Sequence, residues 1–97
     1  MRALVTGGAI RLGREIALYL AQKGYDVAVH YAASEAGAHE TVAEIKAMGL
    51  SSVALQADLL SDAGSQPLIA RAGEALGGPL TLLVNNASIF EHDTIDT

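Results

Sequence analysis

Val5-Thr6-Gly7-Gly8-Ala9-Ile10-Arg11-Leu12-Gly13-Arg14 is the stretch that decides the fold of this chain. A short apolar run, residues 3–5, precedes its glycines, and from Leu12 onward apolar residues recur with helical spacing. Glycine permits positive φ and leaves room beside the backbone. The start of a helix offers unpaired N–H groups and the positive end of the helix dipole. The stretch therefore predicts a tight strand-to-helix turn that holds a phosphate group.

Patterns typical of strands and helices alternate along the rest of the chain. The predicted strands cover residues 2–5, 25–31, 52–58 and 80–84. The predicted helices cover residues 12–23, 35–48 and 67–76. Ser34 is the expected N-cap of the second helix, and Ser61 or Ser65 that of the third. Such alternation with short connections favours an α/β fold, in which parallel strands are joined by right-handed crossovers and helices cover both faces of the sheet.

Two of the predicted helices have a clear apolar face. On the first helix that face comprises Leu12, Ile16, Ala17, Leu20 and Ala21. On the second it comprises Ala38, Val42, Ile45 and Met48. Gly24 and Gly49 are the expected stop signals of these two helices.

Composition narrows the possible functions. Ninety-seven residues suit one domain, and the absence of cysteine excludes disulfides and thiolate metal sites and fits a cytoplasmic protein. The net charge is −5, and residues 31–97 carry nine of the eleven acidic residues, which argues against nucleic-acid binding. No apolar run is long enough for a signal peptide or a membrane span. No His, Asp or Glu cluster has the spacing of metal ligands, so we expect no metal site.

Four stretches with polar or glycine residues lie where predicted strands end. They are residues 7–13, 30–34, 58–59 and 85–88. In a doubly wound sheet, ligands bind beyond the carboxyl ends of the strands, at the point where the strand order reverses. These four loops therefore predict one ligand site at that edge. A glycine-rich turn without a ligand is the alternative interpretation of the first stretch.

The order of these motifs resembles that of the short-chain dehydrogenase/reductase family. The residues that carry the resemblance are Thr6-Gly7-x-x-x-Arg11-x-Gly13, then Asp58, then Asn85-Asn86-Ala87. The resemblance implies an incomplete Rossmann-like sheet with strand order 3-2-1-4. It also implies that residues 1–97 are the N-terminal part of a single dinucleotide-binding domain, whose remainder is absent. The implied activity is that of an NAD(P)-dependent oxidoreductase.

Arg11 departs from the usual family motif, which has glycine at this position. Together with His30-Tyr31 and Asn-Asn-Ala-Ser at residues 85–88, it resembles the pteridine reductase branch. That resemblance implies an Arg11 beside the cofactor phosphates and near the substrate ring, and a pterin-like substrate. A solvated Arg11 and ordinary reduction of a small carbonyl are the alternatives.

The end of the second strand indicates the cofactor. NAD sites usually carry an acidic residue there, whereas residues 30–34 contain none, and Ser34 can donate to a 2′-phosphate. NADP is therefore favoured over NAD, although Ala33 stands where pteridine reductases usually carry a basic residue.

The family pattern also implies which residues contact the cofactor. The expected set is Gly7, Ile10, Arg11, Leu12, Gly13, His30, Tyr31, Ser34, Asp58, Leu59, Asn86, Ala87 and Ser88. Asp58 would accept from the adenine amino group, unless it only caps a helix or shapes a turn. Asn86, Ala87 and Ser88 would line the ribose and nicotinamide side. Asn85 is expected to tie the fourth strand to its neighbours.

The family's catalytic Ser and Tyr-x-x-x-Lys are not found in this chain, so we predict no catalytic residue. Tyr19 and Lys23 have that spacing by accident, and Tyr19 is expected to pack the first helix. The 97 residues alone are thus expected to be inactive, and a nucleotide-binding or interaction fragment without catalysis is the alternative function. Because the fourth strand would be an uncovered edge, we also expect a homo-oligomer.

Overall fold

The computed structural model describes residues 1–7, 11–57 and 65–86, and for 65 and 66 only the backbone. In chain order its elements are β1 (Arg2–Val5), α1 (Arg11–Gln22), β2 (Asp26–Tyr31), α2 (Glu35–Ala47), β3 (Ser52–Gln56), α3 (Ser65–Leu76) and β4 (Leu82–Val84). The four strands form one parallel sheet in the order β3-β2-β1-β4. This is the predicted doubly wound α/β architecture, as in an incomplete Rossmann-like domain.

The alternation of side chains along the strands creates two apolar layers. One face of the sheet packs against α1 and α2; its buried residues are Ala3, Val5, Ala17, Leu20, Ala21, Val27, Val29, Ala38, Val42 and Ile45. The other face packs against α3, and its buried residues are Leu4, Ala28, Leu55, Leu68, Ala72 and Leu76. Both faces of the central strands are buried, which explains why their sequences are continuously apolar.

The strand register places the carboxyl ends of the strands side by side. Val5 of β1 is level with Val29 of β2 and with Val84 of β4. Val29 is in turn level with Ala54 of β3. The residues that follow these strands therefore share one edge of the sheet, called the carboxyl edge below. At the opposite edge, the Arg2 guanidinium donates from Nε to the carbonyl of Leu76, 3.1 Å away, at the end of α3.

Two residues assigned to apolar helix faces are exposed instead. Leu12 is 58% exposed because the buried stripe of α1 begins one residue later, at Gly13, and continues through Ala17. Met48 is 43% exposed because α2 ends at Ala47 and Met48 is only its C-cap. The Leu12 prediction was wrong by one residue of helical rotation, which is 100° on the helix surface, and the Met48 prediction by one residue of helix length.

Several element boundaries also differ from the predicted ones. Tyr25 lies outside β2, because its amide donates to the carbonyl of Leu20 at the end of α1. β3 ends at Gln56, before Ala57 of the predicted strand, and Asp58 lies outside the described residues. The predicted β4 begins two residues too early. Ser65 is the first residue of α3 and not its N-cap, and Ser61 lies outside the described residues. Ser34 does occupy the N-cap position of α2, but its side chain makes no capping hydrogen bond.

None of the helices in the described ranges is long and apolar enough to cross a membrane.

Candidate dinucleotide-binding site

Gly7 is the centre of the site at the carboxyl edge. Its φ of 65° lies in the left-handed region, where the absence of a Cβ matters. Its N–H donates to Nδ1 of His30 at 2.9 Å. Its carbonyl accepts from Nδ2 of Asn86 at 3.3 Å. His30 within β2 and Asn86 just after β4 thus hold both polar groups of Gly7, and they fix the start of the glycine turn, defined here as residues 6–13.

His30 links the glycine turn to the segment that follows β3. It belongs to β2, is 2% exposed, and places Nε2 at 2.8 Å from the carbonyl of Ala57. Because the Gly7 amide can only donate, Nδ1 must be the unprotonated nitrogen and Nε2 must carry the proton. His30 is therefore the neutral Nε2–H tautomer and bonds backbone groups on both sides of its own strand.

Gly13 permits the close packing of the turn against α1. It is buried, and a Cβ at this position would overlap the carbonyl oxygen of Gly7. The same Cβ would lie 2.7 Å from the carbonyl carbon of Gly7 and 2.8 Å from Nδ2 of Asn86. Any larger residue at position 13 would have to displace the backbone of the turn.

Thr6 and Asn85 join the ends of β1 and β4. The Thr6 amide donates to the carbonyl of Val84 at 2.9 Å. The Thr6 hydroxyl lies 3.2 Å from that same carbonyl and 3.3 Å from Oδ1 of Asn85. The predicted structural tie through Asn85 is thus confirmed.

Thr6 was missed as a member of the site, although a hydroxyl residue between a buried strand and two glycines was a usable signal.

Arg11 is the first residue of α1 and has an unusual backbone. Its φ of 50° is the only positive φ of a non-glycine residue in the described parts of the chain. Such a conformation costs about 1–2 kcal/mol for a residue with a Cβ. Its side chain is exposed at the helix start, whereas the nearby Arg14 guanidinium pairs with Glu44 of α2. Strain of this kind is common at functional sites.

The segment after β2 is tied to the end of β3 and contains no carboxylate. The Ala57 amide donates to the carbonyl of Tyr31 at 3.2 Å. Nε2 of Gln56 donates to the carbonyl of Ala32 at 3.1 Å. The first acidic side chain, Glu35, lies within α2 and is 3.5 Å from Nε2 of His39.

The structure brings part of the predicted cofactor set together. Gly7, Gly13, His30 and Asn86 meet in one cluster. Tyr31 is the next residue after His30 in β2, and Ser34 lies in the segment between β2 and α2. Arg11 and Leu12 are the first two residues of α1. Five predicted residues lie outside the described ranges: Ile10, Asp58, Leu59, Ala87 and Ser88.

Tyr19 and Lys23 form a pair on the surface of α1. Tyr19 is 56% exposed, so its predicted role in helix packing was wrong, and Lys23 Nζ lies 5.3 Å from the centre of its ring. Within residues 1–7, 11–57 and 65–86, no three His, Asp or Glu side chains are grouped as around a metal ion.

The sequence model of the family described as short chain dehydrogenase matches residues 1–97. The chain is 47% identical over 87 residues to 3-oxoacyl-(acyl-carrier-protein) reductase FabG of Staphylococcus aureus; the match covers 90% of this chain and 35% of that protein. The chain thus spans about a third of the length of such relatives.

Solved structures show the same fold. A short chain dehydrogenase of Burkholderia cenocepacia, in complex with NADP, superposes with a TM-score of 0.82 at 44% identity, over 87% of this chain and 34% of that one. FolM alternative dihydrofolate reductase 1 of Brucella canis, complexed with NADP, superposes with a TM-score of 0.77 at 35% identity, over 84% and 32%.

Proposed function

Because the chain belongs to the short chain dehydrogenase family, we propose that it supplies the NADP-binding part of an oxidoreductase. The complete enzyme would transfer a hydride between the cofactor and a small carbonyl or pterin-like substrate. Residues 1–97 would be the N-terminal part of its single dinucleotide-binding domain, in the cytoplasm.

The observation that carries this proposal is the fixed glycine turn. Gly7 is held at both of its polar groups, and Gly13 leaves the space that a Cβ would fill. The N–H groups in the first turn of α1 have no carbonyl partners within the helix, and they face the end where an anion is stabilised. These are the features that a pyrophosphate requires, so the residues present fit a dinucleotide.

The other parts of the cofactor would be held along the carboxyl edge. We assign the adenosine ribose and its 2′-phosphate to Tyr31 and Ser34. We assign the adenine to Asp58 and Leu59, and the nicotinamide side to Asn86, Ala87 and Ser88. When bound, the cofactor supplies the hydride, and this chain binds and orients it.

Charge supports NADP over NAD. No carboxylate stands at the end of β2, where an NAD site would use one to bind the ribose hydroxyls. Two structural neighbours were solved with NADP. The Ser34 hydroxyl stands at the N-cap of α2, just after the end of β2, and its O–H can donate to a phosphate.

Arg11 supports a pterin-like substrate. It keeps a backbone conformation that suits glycine, and its cation stands at the positive end of a helix dipole, where a bound anion would offset the repulsion. One of the structural neighbours is called an alternative dihydrofolate reductase. The relative from Staphylococcus aureus is called a 3-oxoacyl reductase, which supports a small carbonyl as the competing substrate.

Titration of the complete protein with NADPH and NADH, followed by enhancement of the reduced-nicotinamide fluorescence, tests the cofactor proposal. We expect tighter binding of NADPH. Tighter binding of NADH would contradict the choice of cofactor, and binding of neither would contradict the function. Consumption of NADPH with a dihydropterin, compared with a 3-oxoacyl thioester, then identifies the substrate class.

A nucleotide-binding or interaction fragment without catalysis is the second candidate. It is favoured by one observation: the only Tyr-x-x-x-Lys spacing in the sequence, Tyr19 and Lys23, is a surface pair on α1. NADPH binding without any oxidation of NADPH across carbonyl and pterin substrates would support this candidate.

We also propose that residues 1–97, isolated from the complete protein, form homo-oligomers. Leu83 of β4 is 48% exposed, and β4 pairs only with β1 among the described strands. Light scattering that shows a monodisperse monomer would contradict this proposal.

A further inference from the structure

We infer that His30 is a positioning residue, which fixes the spacing between the glycine turn and the segment after β3 before any ligand binds. This inference rests on the proposed function, since it concerns the loops that would hold the dinucleotide. It goes beyond the cofactor contact expected from the sequence, because it assigns His30 an action through two backbone groups.

The geometry supports this action. The imidazole spans from the Gly7 amide, 2.9 Å from Nδ1, to the Ala57 carbonyl, 2.8 Å from Nε2. Gly7 follows β1, Ala57 follows β3, and His30 lies in the strand between them. One rigid ring therefore sets the separation of two loops that are not adjacent in the sheet.

Burial makes the link specific. His30 is 2% exposed and Gly7 and Ala57 are half-buried, so water has only partial access to replace either bond. In the described residues, no buried side-chain nitrogen or oxygen lacks a hydrogen-bond partner. An apolar residue at position 30 would leave the Gly7 amide and the Ala57 carbonyl without the hydrogen bonds that the imidazole provides.

Only one tautomer provides both bonds. Nδ1 must accept from the Gly7 amide, so the proton must be on Nε2. The two bonds are thus coupled: the Nε2–H that Ala57 binds also keeps Nδ1 free of a proton and ready to accept from Gly7. A loop pair that is ordered in advance lowers the ordering cost of ligand binding.

The test uses the complete protein and three variants. His30→Leu removes both bonds. His30→Asn keeps an amide oxygen at the position of Nδ1 and so keeps the acceptor for Gly7. The control is Thr41→Val, because Thr41 is equally buried but its hydroxyl donates to Gly37 within α2, 2.9 Å away.

We expect His30→Leu to weaken NADPH binding by about tenfold, which corresponds to roughly 1.4 kcal/mol. We expect His30→Asn to stay within about threefold of the wild type, because one of the two bonds is kept. Thr41→Val should lower the unfolding midpoint but leave the NADPH affinity of the folded protein within about twofold. Equal NADPH affinity for His30→Leu and Thr41→Val would overturn the inference.

Nuclear magnetic resonance gives a readout that needs no ligand. The ¹⁵N shifts of the His30 ring should show an unprotonated Nδ1 and a protonated Nε2. The Gly7 amide should exchange slowly with solvent in the wild type and in His30→Asn, and rapidly in His30→Leu. A proton on Nδ1 would overturn the inference even if His30→Leu does not fold. A wild type that fails to bind NADPH overturns the proposed function alone, because the ring protonation and the Gly7 exchange rate test the inference without a ligand. Tight wild-type binding that His30→Leu retains overturns the inference alone.

Discussion

The Cα of Gly13 faces the carbonyl of Gly7 so closely that a Cβ at position 13 would lie 2.7 Å from the carbonyl carbon. Gly7 cannot move away easily, because His30 and Asn86 hold its amide and its carbonyl. The missing side chain at Gly13 is therefore what allows the glycine turn to sit on the first turn of α1. Gly7 and Gly13 thus pack against one another without any ligand.

Gly13→Ala should damage both stability and cofactor binding. We expect the free energy of unfolding to fall by about 1–3 kcal/mol, the usual cost of overpacking. We expect NADPH affinity to fall by at least about tenfold, because the backbone of the turn must shift. Urea unfolding and fluorescence titration measure the two effects.

The matched control for that variant is Gly24→Ala. Gly24 has a φ of 96°, but no described residue other than its chain neighbours has an atom within 4 Å of its Cβ position. The control should lose about 1 kcal/mol from backbone strain and keep its NADPH affinity. A Gly13→Ala protein as stable as the wild type would show that the turn tolerates a side chain, contrary to the packing described.

Arg2 is expected to stabilise the domain without contributing to the site. Its guanidinium donates to the carbonyl of Leu76 at 3.1 Å and lies 3.4 Å from that of Gly77, so it caps α3 at the end of the sheet opposite the carboxyl edge. Arg2→Met should lower the free energy of unfolding by about 1 kcal/mol. Thermal unfolding and NADPH titration check this, and a change of more than about twofold in affinity would argue against a purely structural role.

Ala33→Asp should reverse the cofactor preference. Ala33 is exposed between the end of β2 and α2, in the segment assigned to the 2′-phosphate. A carboxylate there would repel that phosphate, and we expect NADPH affinity to fall by about tenfold, or roughly 1–2 kcal/mol. NADH affinity should be unchanged or higher. Parallel titrations with both nucleotides measure the ratio.

Ala47→Asp is the control for the charge itself. Ala47 is also exposed, but it lies at the end of α2 that is opposite to Ser34. Ala47→Asp should leave the preference for NADPH over NADH unchanged. Equal losses of NADPH affinity in Ala33→Asp and Ala47→Asp would mean that net charge, and not a local phosphate contact, decides the cofactor preference.

Apolar runs and glycine turns are local signals, and they predicted the parallel sheet and the edge where four loops converge. The strand order came from the family resemblance and not from these signals. The sequence failed where rotation by one residue decides exposure, as at Leu12. It also could not show that His30 bonds to Gly7 and Ala57, since contacts over 23 and 27 residues depend on strand register. The motif placed His30 near the cofactor, but only the sheet gives it two backbone partners.

Arg11→Gly separates backbone strain from charge. Arg11 has a φ of 50°, so glycine should relieve strain and raise the free energy of unfolding by up to about 1 kcal/mol. NADPH affinity should nevertheless fall by about three- to tenfold, because a cation near the phosphates is lost, and the loss should shrink at high salt. Stability and affinity would thus change in opposite directions.

Two further variants make that result specific to position 11. Arg11→Lys keeps the charge and the strain, so its affinity should lie closer to the wild type. Arg14→Gln removes a nearby cation that is already paired with Glu44. This variant should change the free energy of unfolding by at most about 1 kcal/mol. Its NADPH affinity should stay within about twofold of the wild type. Unfolding in urea and NADPH titrations at low and high salt measure all three proteins. If Arg11→Gly and Arg14→Gln weakened NADPH equally, the effect would come from the overall positive field around the turn, and Arg11 would have no separate role.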